Sequence, residues 1–377
     1  MRKGLGRRGI LAAMAAGGAG IVAGGIARAQ QPGSEAPPEV SWRLTSSFPK
    51  SLDLMFGGAD TVARVTAELT GGRFRLQVFP PGEVVPGLGA LDAVQAGTVE
   101  AAQTSLDYSF GKDPAFALPT AFPFGLNARG QSAFHWGGAG EEILRTFLAG
   151  YGLVGFPAGN TGAQMGGFFR KPLGSAAELA GLKIRIGGLG GQVLQRLGAV
   201  PQATPKAEMA AALQAGTLDA ATWVSPYDDE KLGTEGTLAL PKVAPNYYYP
   251  GWWRGASAIH VVVNKAKFEA LPAPFQAALR AACAIAEAEM LGRYDTRNPP
   301  ALRRLVVAGA QLKPFPQDVL DAAWKATNDT FRDIADGNPA FKAMLEALLA
   351  FRSDEYLWWQ VGEYTFDNFM IRQRAKG

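Results

Sequence analysis

The sequence predicts an α/β protein built as two lobes, with extra helices at its C-terminal end. Three observations carry that expectation. Strand-like and helix-like segments alternate in β-α-β-α-β order over residues 42–103, which calls for a parallel sheet with helices packed on it. The stretch VQAGTVEAAQT at 94–104 is echoed by LQAGTLDAATW at 213–223. Each reads as a helix end, a glycine stop and a short apolar strand, so a second lobe would use the same unit. Finally, 377 residues leave room for two cores at roughly 150 residues per domain. A chain 47% hydrophobic and 19% charged is not a disordered one.

The elements follow in order. Arg2, Lys3, Arg7 and Arg8 precede an apolar stretch over 10–27, and Ala27-Arg28-Ala29 is a small-residue cleavage pattern. This predicts a signal peptide over 1–29, cleaved near Ala29, and a periplasmic protein. The Arg7-Arg8 pair points to the twin-arginine route. An N-terminal membrane anchor is the alternative, disfavoured by the cleavage pattern that directly follows. Removing 1–29 takes away five basic residues and no acid, and the net charge falls from +4 to −1. The electrostatic case for nucleic acid falls with it. Residues 30–39 form a Pro/Gly/Glu-rich leader. Lobe I is expected over 40–165: a strand at 42–47, a helix capped by Ser51 and running to about Leu69, a strand at 74–79, a helix at 88–95 and a strand at 99–103. Lobe II is expected over 166–255. It holds a strand at 182–186, the glycines of 187–191, and a helix that then runs to Leu197. Residues 256–377 return to lobe I through a strand at 259–264. They continue as helices at 273–293, 316–335 and 339–351, whose apolar spacings of three and four suit packing on the lobes or on a second subunit.

The chemistry is sparse. Cys283 has no partner in the chain, which excludes a disulfide scaffold. His135 and His260 are the only histidines, too few for a histidine-based metal site, and no G-x-S-x-G occurs. Asp228-Asp229 could be catalytic or metal-binding, but a solvated loop or helix cap is the better reading. The glycines of 187–191 have Val193 where a dinucleotide fingerprint needs its third glycine. They suit a close backbone approach to a small ligand, with helix N–H groups facing an anion. Arg185 lies at the carboxyl end of an otherwise apolar strand. There it can grip a carboxylate with two parallel hydrogen bonds, or pair with an internal acid. Ligands in open α/β sheets bind beyond the strands' carboxyl ends, which nominates the strand-end groups Gln103 and Thr222 and the ring of Tyr108. The aromatic run over 247–254 reads as core or hinge packing, with Trp253 and Arg254 the candidates for a pocket wall.

Several long motifs, in order, carry a resemblance: GKDP at 111–114, PFGLN at 123–127, NTGAQMGGFFRKPL at 160–173, GLKIRIGGLGGQVLQRLGA at 181–199, WVSPYDDEKLG at 223–233 and YYYPGWW at 247–253. The chain resembles the periplasmic substrate-binding proteins of TRAP (tripartite ATP-independent periplasmic) transporters, in the branch that binds 2-oxo and 2-hydroxy monocarboxylates. The resemblance implies a two-lobed periplasmic binding protein fold with crossing strands and a long lobe-spanning helix. It implies closure over a small organic acid, and delivery to membrane permease subunits driven by an ion gradient. It assigns the carboxylate grip to Arg185. It also implies a bound Na⁺ or Ca²⁺ held by Gln164 and by a Glu-Trp pair, where this chain has Thr222-Trp223, and a homodimer through C-terminal helices. Two departures stand out. Thr222 replaces an acid, and Trp253-Arg254-Gly255 stands where the branch has His-Glu-Pro-Gly. A hydroxyl is a poor substitute for a carboxylate on a hard cation. The expectation is therefore a site without cofactor or metal, in which Arg254 supplies cationic contact. An exported ligand sensor and an exported enzyme acting on organic acids are the alternatives to transport.

Overall fold

The computed structural model describes residues 38–205, 208–232 and 239–374. The signal peptide expected over 1–29, and the leader up to residue 37, lie outside the described residues. Two sheets organise the chain. In the first, β1 (Val40–Ser46) is parallel to both β2 (Phe74–Phe79) and β3 (Ala101–Thr104). Beside them run β4 (Leu153–Asn160) and β10 (Ala258–Asn264), with β10 antiparallel to both β3 and β4 in the order β2-β1-β3-β10-β4. The second sheet holds β5 (Gly167–Phe169), β6 (Lys183–Arg185), β7 (Val200–Gln202), β8 (Ala220–Ala221), β9 (Asn246–Tyr249) and β11 (Gln311–Pro314). Its order is β11-β9-β5-β8-β6-β7, with β6 parallel to both β7 and β8.

The sequence echo is a structural one. Gly97 and Gly216 both take left-handed φ values, +72° and +77°, just after the helices Ala90–Gln95 and Met209–Ala215. A side chain is strained there, so glycine ends each helix and turns the chain into β3 or β8. The first helix, Asp53–Leu69, starts differently from expectation. Its N-cap is Leu52 and no side chain caps it, so Ser51 has no such role. The glycines of 187–191 also differ: the helix Gly188–Arg196 begins inside the cluster rather than after it.

Three connections join the sheets. Residues 161–166 lead from β4 to β5, and residues 250–257 lead from β9 back to β10. The two segments are tied together: the Thr161 amide donates to the Ser257 carbonyl at 3.1 Å, and the Gly251 amide to the Gln164 carbonyl at 3.0 Å. A Cβ on Gly251 would lie 2.7 Å from that same carbonyl oxygen, so the close approach requires glycine. The third connection is the helix Ala273–Val307. Phe275, Leu279 and Cys283 bury in the core of the first sheet, and Leu305 in that of the second. This helix runs 14 residues beyond its expected end and contains Pro299 and Pro300. Prolines in a helix cost about 3 kcal/mol or more. Anchors on both sides offset this: Tyr294 Oη donates to Asp228, and Ala301 and Leu305 are fully buried. The helices Gln317–Gly337, Pro339–Val361 and Glu363–Arg374 complete the described chain. No helix among the described residues is long and apolar enough to cross a membrane.

Candidate functional site

A cavity of about 210 Å³ lies between the sheets, against the two crossing segments. Phe48, Leu52, Met55, Asp107 and Tyr108 form its wall on the first-sheet side. Arg185, Gly187, Gly188, Thr222 and Trp223 form the opposite wall, and Gln164, Trp253, Arg254 and Ser257 rise from the crossing segments. Binding here would touch both lobes and the chain that joins them.

Arg185 ends β6, which the parallel pairing to β7 and β8 fixes in place. Its Nη1 donates to the Thr222 carbonyl at 3.0 Å and its Nε to the Thr204 carbonyl at 3.4 Å. The guanidinium lies 4.8 Å from the centre of the Trp223 ring, a stacking contact. It forms no ion pair among the described residues, and desolvation pulls its pKa below the ordinary value. Carbonyls and a ring hold the group in position, and its positive charge is left for a ligand. Thr222 turns its hydroxyl back, donating to the Arg185 carbonyl at 3.1 Å. Gln164 Nε2 donates to Thr161 Oγ1 at 3.1 Å and to Ser257 Oγ at 3.0 Å; these bonds leave Oε1 as the amide's acceptor.

Arg254 is not the free cation that the sequence suggested. Its Nη2 pairs with Asp107 Oδ2, and its Nη1 donates to Ser257 Oγ at 3.3 Å. Asp107 is itself buried, and its Oδ1 accepts from Ser105 Oγ at 2.5 Å. Asp107 therefore gives the site a negative charge that the sequence reading missed. Its place just after the strand end that nominated Gln103 is a hint, but by itself it does not tell Asp107 from a solvated acid. Gln103 itself does not line the cavity. It is fully buried; its Oε1 accepts from Ser46 Oγ and its Nε2 donates to the Met55 carbonyl, both at 2.7 Å. Strand alternation sends its side chain under the first helix, where it ties β1, β3 and that helix together. The other seven nominated residues all line the cavity.

The glycine cluster acts by close approach. Gly188 has φ +60°, and a Cβ on Gly190 would lie 2.8 Å from the Cβ of Trp253. Asp228 and Asp229 are neither solvated nor caps. Both are buried, accepting from Tyr294 Oη and Tyr247 Oη respectively, each at 2.5 Å. Burial first, with the neighbouring Asp228 charge adding to it, pushes the Asp229 carboxyl up to about 7 against the hydrogen bonds it accepts. His135 and His260 lie apart from this cleft, beside Glu287 at a smaller cavity of about 40 Å³. Among the described residues no cluster of three His, Cys, Asp or Glu could hold a metal.

Residues 45–338 match the model of the bacterial extracellular solute-binding proteins, family 7 (DctP). The chain is 47% identical to a monocarboxylate 2-oxoacid-binding periplasmic protein of Nostoc sp., over 88% of this chain and 89% of that one. Among solved structures it is similar to a TRAP transporter solute-binding protein from Bordetella bronchiseptica: 44% identity, TM-score 0.84, covering 90% of this chain and 99% of that one. That protein is a mixed-occupancy dimer with calcium and picolinate in one active site. A TRAP solute-binding protein from Colwellia psychrerythraea, with bound calcium and pyruvate, is 28% identical over 88% of this chain and 99% of its own, with TM-score 0.83.

The cation of those two structures sets a test for this cleft. The donors at the positions that the sequence resemblance indicates are the Gln164 amide oxygen, the Thr222 hydroxyl and the Trp223 carbonyl, all neutral. Among the described residues Asp107 is the only carboxylate lining the cavity, and both of its oxygens are engaged by Ser105 and Arg254. Hard cations such as Ca²⁺ take six to eight oxygens, carboxylates prominent among them. Two guanidiniums already line this cleft, and its donor set does not fit such a cation.

Proposed function

The chain belongs to the bacterial extracellular solute-binding proteins of family 7, and from that membership we propose that it captures a small 2-oxo or 2-hydroxy monocarboxylate in the cleft at Arg185. It is the extracytoplasmic solute-binding protein of a TRAP transporter. The observation that carries the ligand reading is Arg185: a guanidinium at a strand end, lining a cavity between two lobes, with no ion pair among the described residues. The acid's carboxylate would take two parallel hydrogen bonds from it. Gln164 Oε1 and the Thr222 and Ser257 hydroxyls surround the rest of the ligand, and Trp223, Trp253 and Phe48 exclude water. Closure lowers the local dielectric and strengthens the charged contact.

The ligand leaves unchanged. No His or Cys lines the cavity among the described residues, so neither Ser105 nor Ser257 has a histidine base beside it there. The protein is exported to the periplasm, where it hands the acid to membrane permease subunits, and it pairs with a second copy through its C-terminal helices.

A thermal-shift series with pyruvate, lactate and longer 2-oxo acids tests the reading, since a ligand that binds only the folded state raises Tm by mass action. We expect a shift with at least one of them and recovery of the ligand intact. Arg185→Ala should weaken binding by about 2–3 kcal/mol, roughly 30- to 150-fold, while the variant stays folded. Wild-type affinity in that variant would remove Arg185 from the site.

A further inference from the structure

The charges that line the cleft go beyond the family pattern. Three ionic side chains line it among the described residues: Arg185, Arg254 and Asp107. Arg254 and Asp107 pair with one another, with Asp107 6% and Arg254 28% exposed at the side chain. Arg185 has no carboxylate partner among the described residues. The cleft therefore presents one uncompensated positive charge, not two. The cation of the relatives would add further positive charge where no carboxylate is available to receive it. A single carboxylate closes the balance, whereas a second would enter a low-dielectric site without a counter-charge, which is costly.

We propose that this cleft binds its acid without a metal ion, and that Asp107, by neutralising Arg254, restricts it to acids carrying one negative charge. Asp107 is a specificity-determining residue on this account. It does not grip the ligand; it cancels the guanidinium that would otherwise receive a second carboxylate. Ser105 Oγ and Arg254 hold its two oxygens, so the carboxylate is fixed before any ligand arrives. The Arg254 guanidinium in turn bonds Ser257 Oγ, which also accepts from Gln164. The pair is thereby linked to both crossing segments that join the lobes.

The inference rests on the acid-binding reading, and the test separates the two. Calorimetry on the purified protein would compare 2-oxopentanoate with 2-oxoglutarate, a five-carbon pair that differs by one carboxylate. Each would be titrated after chelation and again with added Ca²⁺. We expect a preference of at least tenfold for the monoacid, changed less than twofold by chelator or Ca²⁺. Asp107→Asn should reduce or invert that preference, because two guanidiniums would then be unpaired. Should Asp107→Asn not fold, the double substitution Asp107→Asn with Arg254→Gln restores the net charge and should keep the monoacid preference. Arg254→Gln alone leaves Asp107 facing the ligand and should weaken monoacid binding at least tenfold. A tenfold loss on chelation would overturn the metal-free part. An unchanged preference in Asp107→Asn, or undiminished binding in Arg254→Gln, would overturn the charge part. Folded wild-type protein that binds neither these acids nor pyruvate or lactate would instead refute the acid-binding reading itself.

Discussion

Gly190 shows how closely single residues set the cleft. Replacing it with alanine adds helix propensity, about 1 kcal/mol in favour. The new methyl, however, would lie 2.8 Å from Trp253 Cβ and 3.1 Å from Ile186 Cδ1. The first of these atoms is attached to the backbone and cannot swing away, so the clash wins. Overpacking of this kind costs about 1–3 kcal/mol. Gly190→Ala should lower Tm and weaken acid binding together, because Trp253 is the wall that shifts. A higher Tm with unchanged affinity would show that the wall yields freely. The same residue scale shows what the sequence could reveal. Arg185 was legible because a charge in an apolar strand has few reasons to be there. Asp107 was not, because an acid in a polar loop after a strand reads as solvated until the fold places Arg254 against it. Gln103 failed in the opposite sense: its polarity suggested a ligand contact, but both of its amide atoms are spent on Ser46 and Met55.

Among the elements, the helix–glycine–strand units were legible because the left-handed φ at Gly97 and Gly216 leaves a compositional mark. The far end of the Ala273–Val307 helix was not, since Pro299-Pro300 argues locally for a break. Only tertiary anchors such as Tyr294 on Asp228 override that argument. The last helix, Glu363–Arg374, buries no residue of its own. Leu357, Trp358 and Val361 before it, and Phe366, Phe369 and Ile371 within it, are all more than half exposed. Apolar surface on this scale marks an interaction site. The Bordetella relative was solved as a dimer, and a second copy is the partner proposed for this face. Sedimentation should therefore give twice the chain mass. Trp358→Asp combined with Phe369→Asp should give the single-chain mass with the acid affinity retained. A monomer in the unsubstituted protein would sink the proposal.

For the whole molecule, the question is what favours closure. Asp53, at the start of the first helix, meets two residues of the opposite lobe. Tyr227 Oη donates to its Oδ2 at 2.8 Å and Lys231 Nζ to its Oδ1 at 2.5 Å. These contacts exist only when the lobes touch, and none of the three residues lines the cavity. Removing them should therefore shift the open–closed balance without touching the ligand, and affinity falls by the fraction of closed form lost. The Asp53 side chain is about half exposed, so the ion pair contributes no more than about 1 kcal/mol and the tyrosine bond about as much again. Asp53→Ala should weaken acid binding by up to about thirtyfold, chiefly through faster release. The pH dependence follows from the carboxyl. Burial alone would raise its pKa, but the hydrogen bonds from Lys231 and Tyr227 and the Lys231 charge outweigh that and hold it below the ordinary value. A depressed carboxyl contributes above its unfolded pKa of about 3.9, and the contribution is lost as pH falls through the folded value. Between pH 5 and 8 the difference between Asp53→Ala and wild type should stay constant, and it should vanish only in stronger acid. A variant with wild-type affinity throughout that range would mean that closure does not depend on the Asp53 contacts. The Arg185 contact and the apolar meeting of Phe48, Leu52 and Val224 would then be sufficient to bring the lobes together.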